Sequence, residues 1–268
     1  MPDDGGASRR AALYGDNDLS SFSLFSGNYI NFGYWHDFTP GRINVDERTE
    51  SQADLYRIVL RRLKIDPNDV VLEIGCGIAV GTALALREFD PGAVYGLDLS
   101  QEQLDRATRV NTDLLAQQRG RFMLQQGFAL ELPYAHEHFD KCYSVEAAQH
   151  VEGLATFASE SYRVLRPRGR LAVATFFMTH TSAVDELRQS IETIDSGVDV
   201  VFAIDSFRDD LFKAGFAGVQ VESIGEHVWG GFDAWMEQTE FKDSWGRNWL
   251  KAYHRGLMDY YLVTADKT

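Results

Sequence analysis

The stretch Val70-Val71-Leu72-Glu73-Ile74-Gly75-Cys76-Gly77-Ile78-Ala79-Val80-Gly81-Thr82, followed by a second apolar run at Val94-Tyr95-Gly96-Leu97-Asp98-Leu99-Ser100, decides the fold. The first run reads as a buried parallel strand, Gly75-x-Gly77 as a tight turn open to a ligand, and Thr82 to Glu88 as the following helix. Asp98 falls at the tip of the second strand. An acid about 20 residues beyond such a turn accepts hydrogen bonds from both hydroxyls of a ribose. The glycine spacing alone is weak, because Ala79 or Val80 stands where a dinucleotide fingerprint carries a third glycine. Glu73 discriminates: an acid ending a buried strand suits a ligand with a cationic amino group and repels a pyrophosphate. The plain alternative is a strand-turn-helix packing motif with no ligand.

Working outward, apolar runs predict strands near 70–74, 93–98, 122–126, 140–145 and 170–178, separated by helical patterns near 79–88, 101–118 and 154–165. That alternation predicts a parallel, doubly wound α/β sheet. Ser100 is expected to cap the helix that starts at Gln101, which sets Gln103 beside Asp98 as a candidate ribose contact. Upstream, Ala53, Tyr56, Leu60 and Leu63 recur at helical spacing between Asp46 and Leu63, and Asp66-Pro67 closes that helix. Residues 1 to about 10 read as disordered, with order beginning near Leu13. Downstream, Thr181 to Asp205 interrupts the alternation and is read as a lid; a helix over Phe207–Ala214 and a strand over Gly218–Ile224 follow. An aromatic-rich helical tail, with Trp229, Phe232, Trp235, Phe241, Trp245, Trp249 and Tyr253, precedes a strand-like run from Asp259 to Ala265.

A chain of 268 residues with 44% apolar content can bury a full core. Its 26 basic and 40 acidic residues leave a net charge of −14, whose field repels nucleic acid and other phosphate-rich macromolecules. No apolar run reaches the roughly 18 to 20 residues of a membrane span. Neither a basic start nor an apolar leader is evident, and two cysteines make no disulfide framework, so a cytoplasmic setting is expected. His136-x-His138 lacks a suitably spaced third ligand, so no metal is expected.

Leu72-Glu73-Ile74-Gly75-Cys76-Gly77 with Asp98 resembles the class I S-adenosylmethionine-dependent methyltransferases. The likeness continues through Phe122 to Phe139, Phe139-Asp140-Lys141-Cys142-Tyr143-Ser144-Val145 and Arg163-Val164-Leu165-Arg166-Pro167-Arg168-Gly169-Arg170-Leu171, covering about 65 to 225. The aromatic run Ser26 to His36 is similar to the N-terminal cap of the bacterial small-molecule members, of the ubiquinone/tocopherol and natural-product type. The resemblance implies a Rossmann-like, seven-stranded, mostly parallel sheet whose last strand is antiparallel. It implies a cap and disordered start over 1–64 and a methyltransferase domain over 65–268, with the lid at about 180–205.

The cofactor implied is S-adenosyl-L-methionine, left as S-adenosyl-L-homocysteine. Glu73 is then expected at its amino group, the Gly75 and Gly77 backbone at the methionine moiety, and Asp98, Leu99 and Gln103 at the ribose side. Gly127, Phe128 and Ala129 fall in the adenine loop, and Tyr34 reaches the methionine carboxylate. Many relatives place an acid where Phe128 stands; here the ring either lies against adenine or plugs the core beneath the loop. Tyr29, Phe32 and Trp229 are expected to line the acceptor site, or to pack the cap onto the sheet. His150, in the loop after the fourth strand, is either a general base or a residue that bonds backbone and shapes the site. The expected acceptor is a small, largely apolar molecule of bacterial secondary metabolism. His150 suits an acidic carbon, a phenol or an ammonium alike. A cyclase or decarboxylase using the same site, and a degenerate binding scaffold, are the competing functions. The N-terminal aromatics are expected to pack within the chain or against a second subunit of a homo-oligomer.

Overall fold

The computed structural model describes residues 22–268 apart from 37 and 40. The disordered start expected over residues 1 to about 10, and the onset of order near Leu13, lie outside the described residues. Seven strands form one sheet in the order β3-β2-β1-β4-β5-β7-β6. They are β1 (Val70–Ile74), β2 (Ala93–Asp98), β3 (Phe122–Gln126), β4 (Phe139–Val145), β5 (Leu165–Met178), β6 (Ala217–Ser223) and β7 (Met258–Asp266). β1 to β5 pair in parallel. Val71, Leu72 and Ile74 of β1, and Leu171–Met178 of β5, are buried, as strands covered on both faces require. β7 runs against β5: Arg168 N donates to Lys267 O (2.8 Å) and Thr179 N to Leu257 O (3.2 Å), so numbering rises along one strand as it falls along the other. The expected Rossmann-like architecture is the one observed.

The helices are α1 (Val45–Leu63), α2 (Val80–Phe89), α3 (Gln101–Val110), α4 (Thr112–Gln117), α5 (Leu154–Val164), α6 (Val184–Ser190), α7 (Glu192–Asp195), α8 (Ile204–Ala214), α9 (Trp229–Met236) and α10 (Asn248–His254). Several boundaries differ from the sequence expectation: α8 begins at Ile204 rather than Phe207, and the aromatic tail forms two helices, α9 and α10, rather than one. The single helix over 101–118 breaks at Asn111, whose buried amide donates to Ile78 O (3.2 Å) and Ala107 O (3.0 Å). A side chain that takes backbone carbonyls competes with the helix ladder. β5 begins at Leu165 rather than near 170, because Arg168, at φ +67°, hands its N–H to Lys267 and keeps the segment in the sheet.

By contacts the chain divides into two units. One comprises the described residues up to Leu55 with Phe176–Asp205 and Ser223–Tyr261. At its centre Phe32 meets the rings of Trp229 (5.1 Å), Phe232 (4.7 Å), Trp249 (5.6 Å) and Tyr260 (6.4 Å). The buried Arg48 guanidinium donates to Leu24 O, Phe32 O and Asn31 O and lies 5.6 Å from the rings of both Trp35 and Phe232. Those donations fix an aromatic loop that has no regular backbone pairing of its own. The other unit comprises Tyr56–Thr175, Ser206–Glu222 and Leu262–Thr268. Here α2 packs so tightly on the second half of α1 that a Cβ on Gly81 would enter the Tyr56 ring. Cys76 and Cys142 are buried and free.

Candidate active site at the carboxyl ends of β1, β2 and β4

The order β3-β2-β1-β4-β5 places the reversal of strand order between β1 and β4, where open α/β sheets bind ligands. β1 ends at Ile74 and turns through Gly75 (φ +80°) and Gly77 (φ +52°), both left-handed. The two glycines serve different purposes. A Cβ on Gly75 would land on the Cβ of Ala147, so this turn packs against the loop after β4. A Cβ on Gly77 would meet nothing within 4 Å, so open space lies beside that backbone.

Asp98 ends β2 and braces the turn: its Oδ2 accepts from Gly77 N (2.8 Å) and its Oδ1 from Ser100 N (2.9 Å). Burial raises the Asp98 carboxyl above its usual range, while the Ser100 and Gly77 amides and the nearby His150 pull it back. Each carboxylate oxygen keeps a lone pair for a further donor. Ser100 caps α3 by accepting from Gln103 N (3.3 Å), as expected, and the Gln103 side chain is buried beneath that first turn.

Leu99 and Phe128 stand exposed at the ends of β2 and β3, at 60% and 46%. Gly127 N ties the two loops together by donating to Asp98 O (3.0 Å). Phe128 is therefore no core plug: its ring faces out beside Ala129, which is half-buried.

Glu73 is wholly buried. Its Oε2 accepts from the Tyr143 hydroxyl (3.0 Å) and from Thr82 Oγ1, while Oε1 has no donor at hydrogen-bond distance. Burial pushes the carboxyl up to about 7, against the opposing help of the Thr82, Tyr143 and Tyr56 hydroxyls. Folded Glu73 thus holds its proton well above the 4.5 of an unfolded glutamate, so its contribution to stability is complete below pH 4.5 and is lost as pH rises through 7. Relative to Glu73→Gln, the wild-type protein is expected to lose about 2–3 kcal/mol of unfolding free energy between pH 5 and pH 8. Urea titrations at the two pH values measure this; parallel behaviour of the two proteins contradicts it.

After β4, Glu146 adopts φ +47° and a single helical turn, Ala148–His150, follows. His150 is half-buried, within range of the Asp98 charge, and Gln149 Nε2 lies 3.4 Å from its Nε2. The glycine turn, Asp98 and His150 are therefore brought together.

The remaining sequence candidates belong to the other unit. Tyr34 is half-buried, donates its N–H to Ser51 O (2.7 Å) and meets the rings of His36 (4.6 Å) and His227 (4.9 Å). Tyr29 is half-buried and its carbonyl accepts from Gln52 Nε2 (2.9 Å). Trp229 is fully enclosed, stacked on Trp249 (5.6 Å, 9°), and offers no surface to a ligand; Phe32, against it, is half-buried. His138 packs on Phe139 and Tyr134, and among the described residues no group of three or more His, Cys, Asp or Glu side chains is placed to hold a metal.

Sequence reasoning missed the hydroxyls around Glu73 and the pair Gln149 and Thr175. The β1–β4 register sets Glu73 opposite Tyr143, which strand alignment alone signals; nothing local marks Thr175 as the partner of Gln149.

The donors present fit S-adenosylmethionine. The orphaned Glu73 Oε1 favours positive charge nearby, the open space at Gly77 admits a ligand to backbone, and two exposed apolar side chains flank the Asp98 carboxylate.

A family profile described as a methyltransferase domain matches residues 72–173. The methyltransferase GfsG of Streptomyces halstedii is 31% identical, with 91% of this chain and 89% of that protein covered. The erythromycin 3''-O-methyltransferase of Saccharopolyspora erythraea is 27% identical over 86% of this chain and 77% of that protein. A solved geranyl diphosphate C-methyltransferase from Streptomyces coelicolor A3(2), at 15% identity, matches the fold with a TM-score of 0.83 over 100% of both chains. With its glycine turn, the carboxylate that ends β2 and the sheet order all in place, this chain belongs to the class I S-adenosylmethionine-dependent methyltransferases.

Proposed function

We propose that this enzyme methylates a hydroxyl of a small, largely apolar natural product in a bacterial cytoplasm, with His150 as general base. The observation that carries the reading is the half-buried His150 imidazole, set by the loop after β4 within reach of the Asp98 charge and beside the glycine turn. The bound sulfonium supplies an activated methyl group and a neutral leaving group, so the protein's task is orientation, water exclusion and proton removal. Asp98 and the Gly75–Gly77 backbone hold the donor. His150 takes the hydroxyl proton as the acceptor oxygen bonds to carbon.

A net charge of −14 disfavours phosphorylated acceptors. The relative named for erythromycin 3''-O-methylation supports an oxygen on a natural product. The two free buried cysteines agree with a reducing compartment, and a homo-oligomer is the assembly we propose.

The test is a panel of hydroxylated apolar acceptors set against amines and phosphorylated alcohols, with products identified by mass spectrometry. Methylated oxygen on an apolar acceptor is expected, and exclusive methylation of amines or phosphorylated alcohols overturns the reading. His150→Ala is expected to lower kcat by about 10²–10⁴-fold and to remove the acidic limb of the pH–rate profile. An unchanged rate and profile would demote His150 to a wall of the site.

A further inference from the structure

Gln149 precedes the proposed base, is buried, and has its side chain fixed at both ends. Its Nε2 donates to the Glu146 carbonyl (2.9 Å), its Oε1 accepts from Thr175 Oγ1 (2.8 Å), and the same Nε2 lies 3.4 Å from His150 Nε2. The Glu146 carbonyl can only accept, so the amide cannot be turned over: the atom facing that oxygen must be the nitrogen. Thr175 then donates into Oε1, and the second amide hydrogen is left for the imidazole. An N–H facing a ring nitrogen requires a lone pair there, whereas a protonated Nε2 would set two donors head to head.

The frame behind this arrangement is rigid. Glu146 N donates to Ala174 O (2.9 Å), so neighbouring residues of β5, Ala174 and Thr175, hold the loop backbone and the amide together. At 3.4 Å the contact to the imidazole is long and weak, so it sets the tautomer of the resting ring and gives way when Nε2 takes a proton.

We propose that Gln149, locked by Thr175, is a positioning residue that fixes neutral His150 in the tautomer protonated on Nδ1, with its lone pair on Nε2. The catalytic consequence rests on His150 being the base; the tautomer does not.

Nitrogen-15 NMR of the histidine-labelled protein, at a pH where the rings are neutral and with His150→Ala supplying the assignment, reads the tautomer directly. Wild type and Thr175→Ser are expected to show Nδ1–H at His150. Gln149→Glu, whose carboxylate accepts only, is expected to switch it to Nε2–H, and Thr175→Val to lose the Nδ1–H preference without adding a charge. The wrong tautomer of a catalytic imidazole costs on the order of 10⁴ in rate, so kcat of Gln149→Glu is expected to fall at least about 10²-fold, with S-adenosylhomocysteine affinity retained. Nε2–H in wild type, or an Nδ1–H signal that survives in both Gln149→Glu and Thr175→Val, overturns the positioning role whatever the rates. A switched tautomer with unchanged kcat overturns instead the reading of His150 as base.

Discussion

Alanine at Gly75 is expected to destabilise the protein by about 3–5 kcal/mol, the sum of left-handed strain and overpacking, and to abolish cofactor binding. Alanine at Gly77 is expected to leave a folded protein that binds weakly. Both positions have positive φ, at +80° and +52°, so each substitution carries the conformational cost of an L-residue there, about 1–2 kcal/mol. They part company in what the new methyl meets. At Gly75 it lands on the Ala147 Cβ, which is anchored by the loop after β4; at Gly77 it points into open space. The first collision cannot relax without moving the segment that carries His150. The second harms the space that a ligand must occupy. Urea titration separates the two effects from the binding loss, and a Gly77→Ala protein less stable than Gly75→Ala would contradict this account.

Asp98→Ala is expected to weaken S-adenosylhomocysteine binding by about 10²–10³-fold, since charge-assisted hydrogen bonds contribute about 1.5–3 kcal/mol each. The residue performs two tasks. Its remaining lone pairs are the ones proposed for a ribose, and it holds Gly77 N and Ser100 N at 2.8 and 2.9 Å, which shapes the turn and the start of α3. Asp98→Asn is expected to be no rescue. Both partners of the carboxylate are N–H donors, so either orientation of an asparagine amide turns its own NH₂ towards a donor. An asparagine variant with near-native affinity would show that the ribose side is held elsewhere.

Much of this architecture was legible in the residues, and the reasons are local. Apolar runs of strand length alternating with helical periodicity determine a doubly wound sheet, and Ser100 sits where a helix must begin, so both were foreseen from spacing alone. The turn at Gly75 and Gly77 was legible because a left-handed backbone favours glycine, and the placement of Glu73 and Asp98 on β1 and β2 because each lies in an apolar strand run. The break at Asn111 was not, because its cause is a hydrogen bond to Ile78, 33 positions away. Phe128 was ambiguous for the same reason: whether a ring plugs a core or faces outward depends on the loops tied together by Gly127 and Asp98. Trp229 illustrates the reverse. Its aromatic character suggested an acceptor contact, yet Phe32, Trp249 and Tyr260 enclose it, leaving Phe32 as the more exposed ring of that cluster.

Glu73 shows how far a motif reading reaches. Its charge preference followed from position, but its protonation near neutrality follows from burial and from an Oε1 that the Tyr143 and Thr82 hydroxyls do not serve. A cationic group brought near that oxygen favours the ionised form, which ties donor binding to proton release from the site.

The central claim is that the carboxyl ends of β1 and β2 hold the methyl donor, and calorimetric titration with S-adenosylhomocysteine tests it most directly. One-to-one, saturable binding by the wild-type protein, lost in Asp98→Ala, is the predicted result. No binding by the wild type, or equal binding by the folded variant, would contradict it.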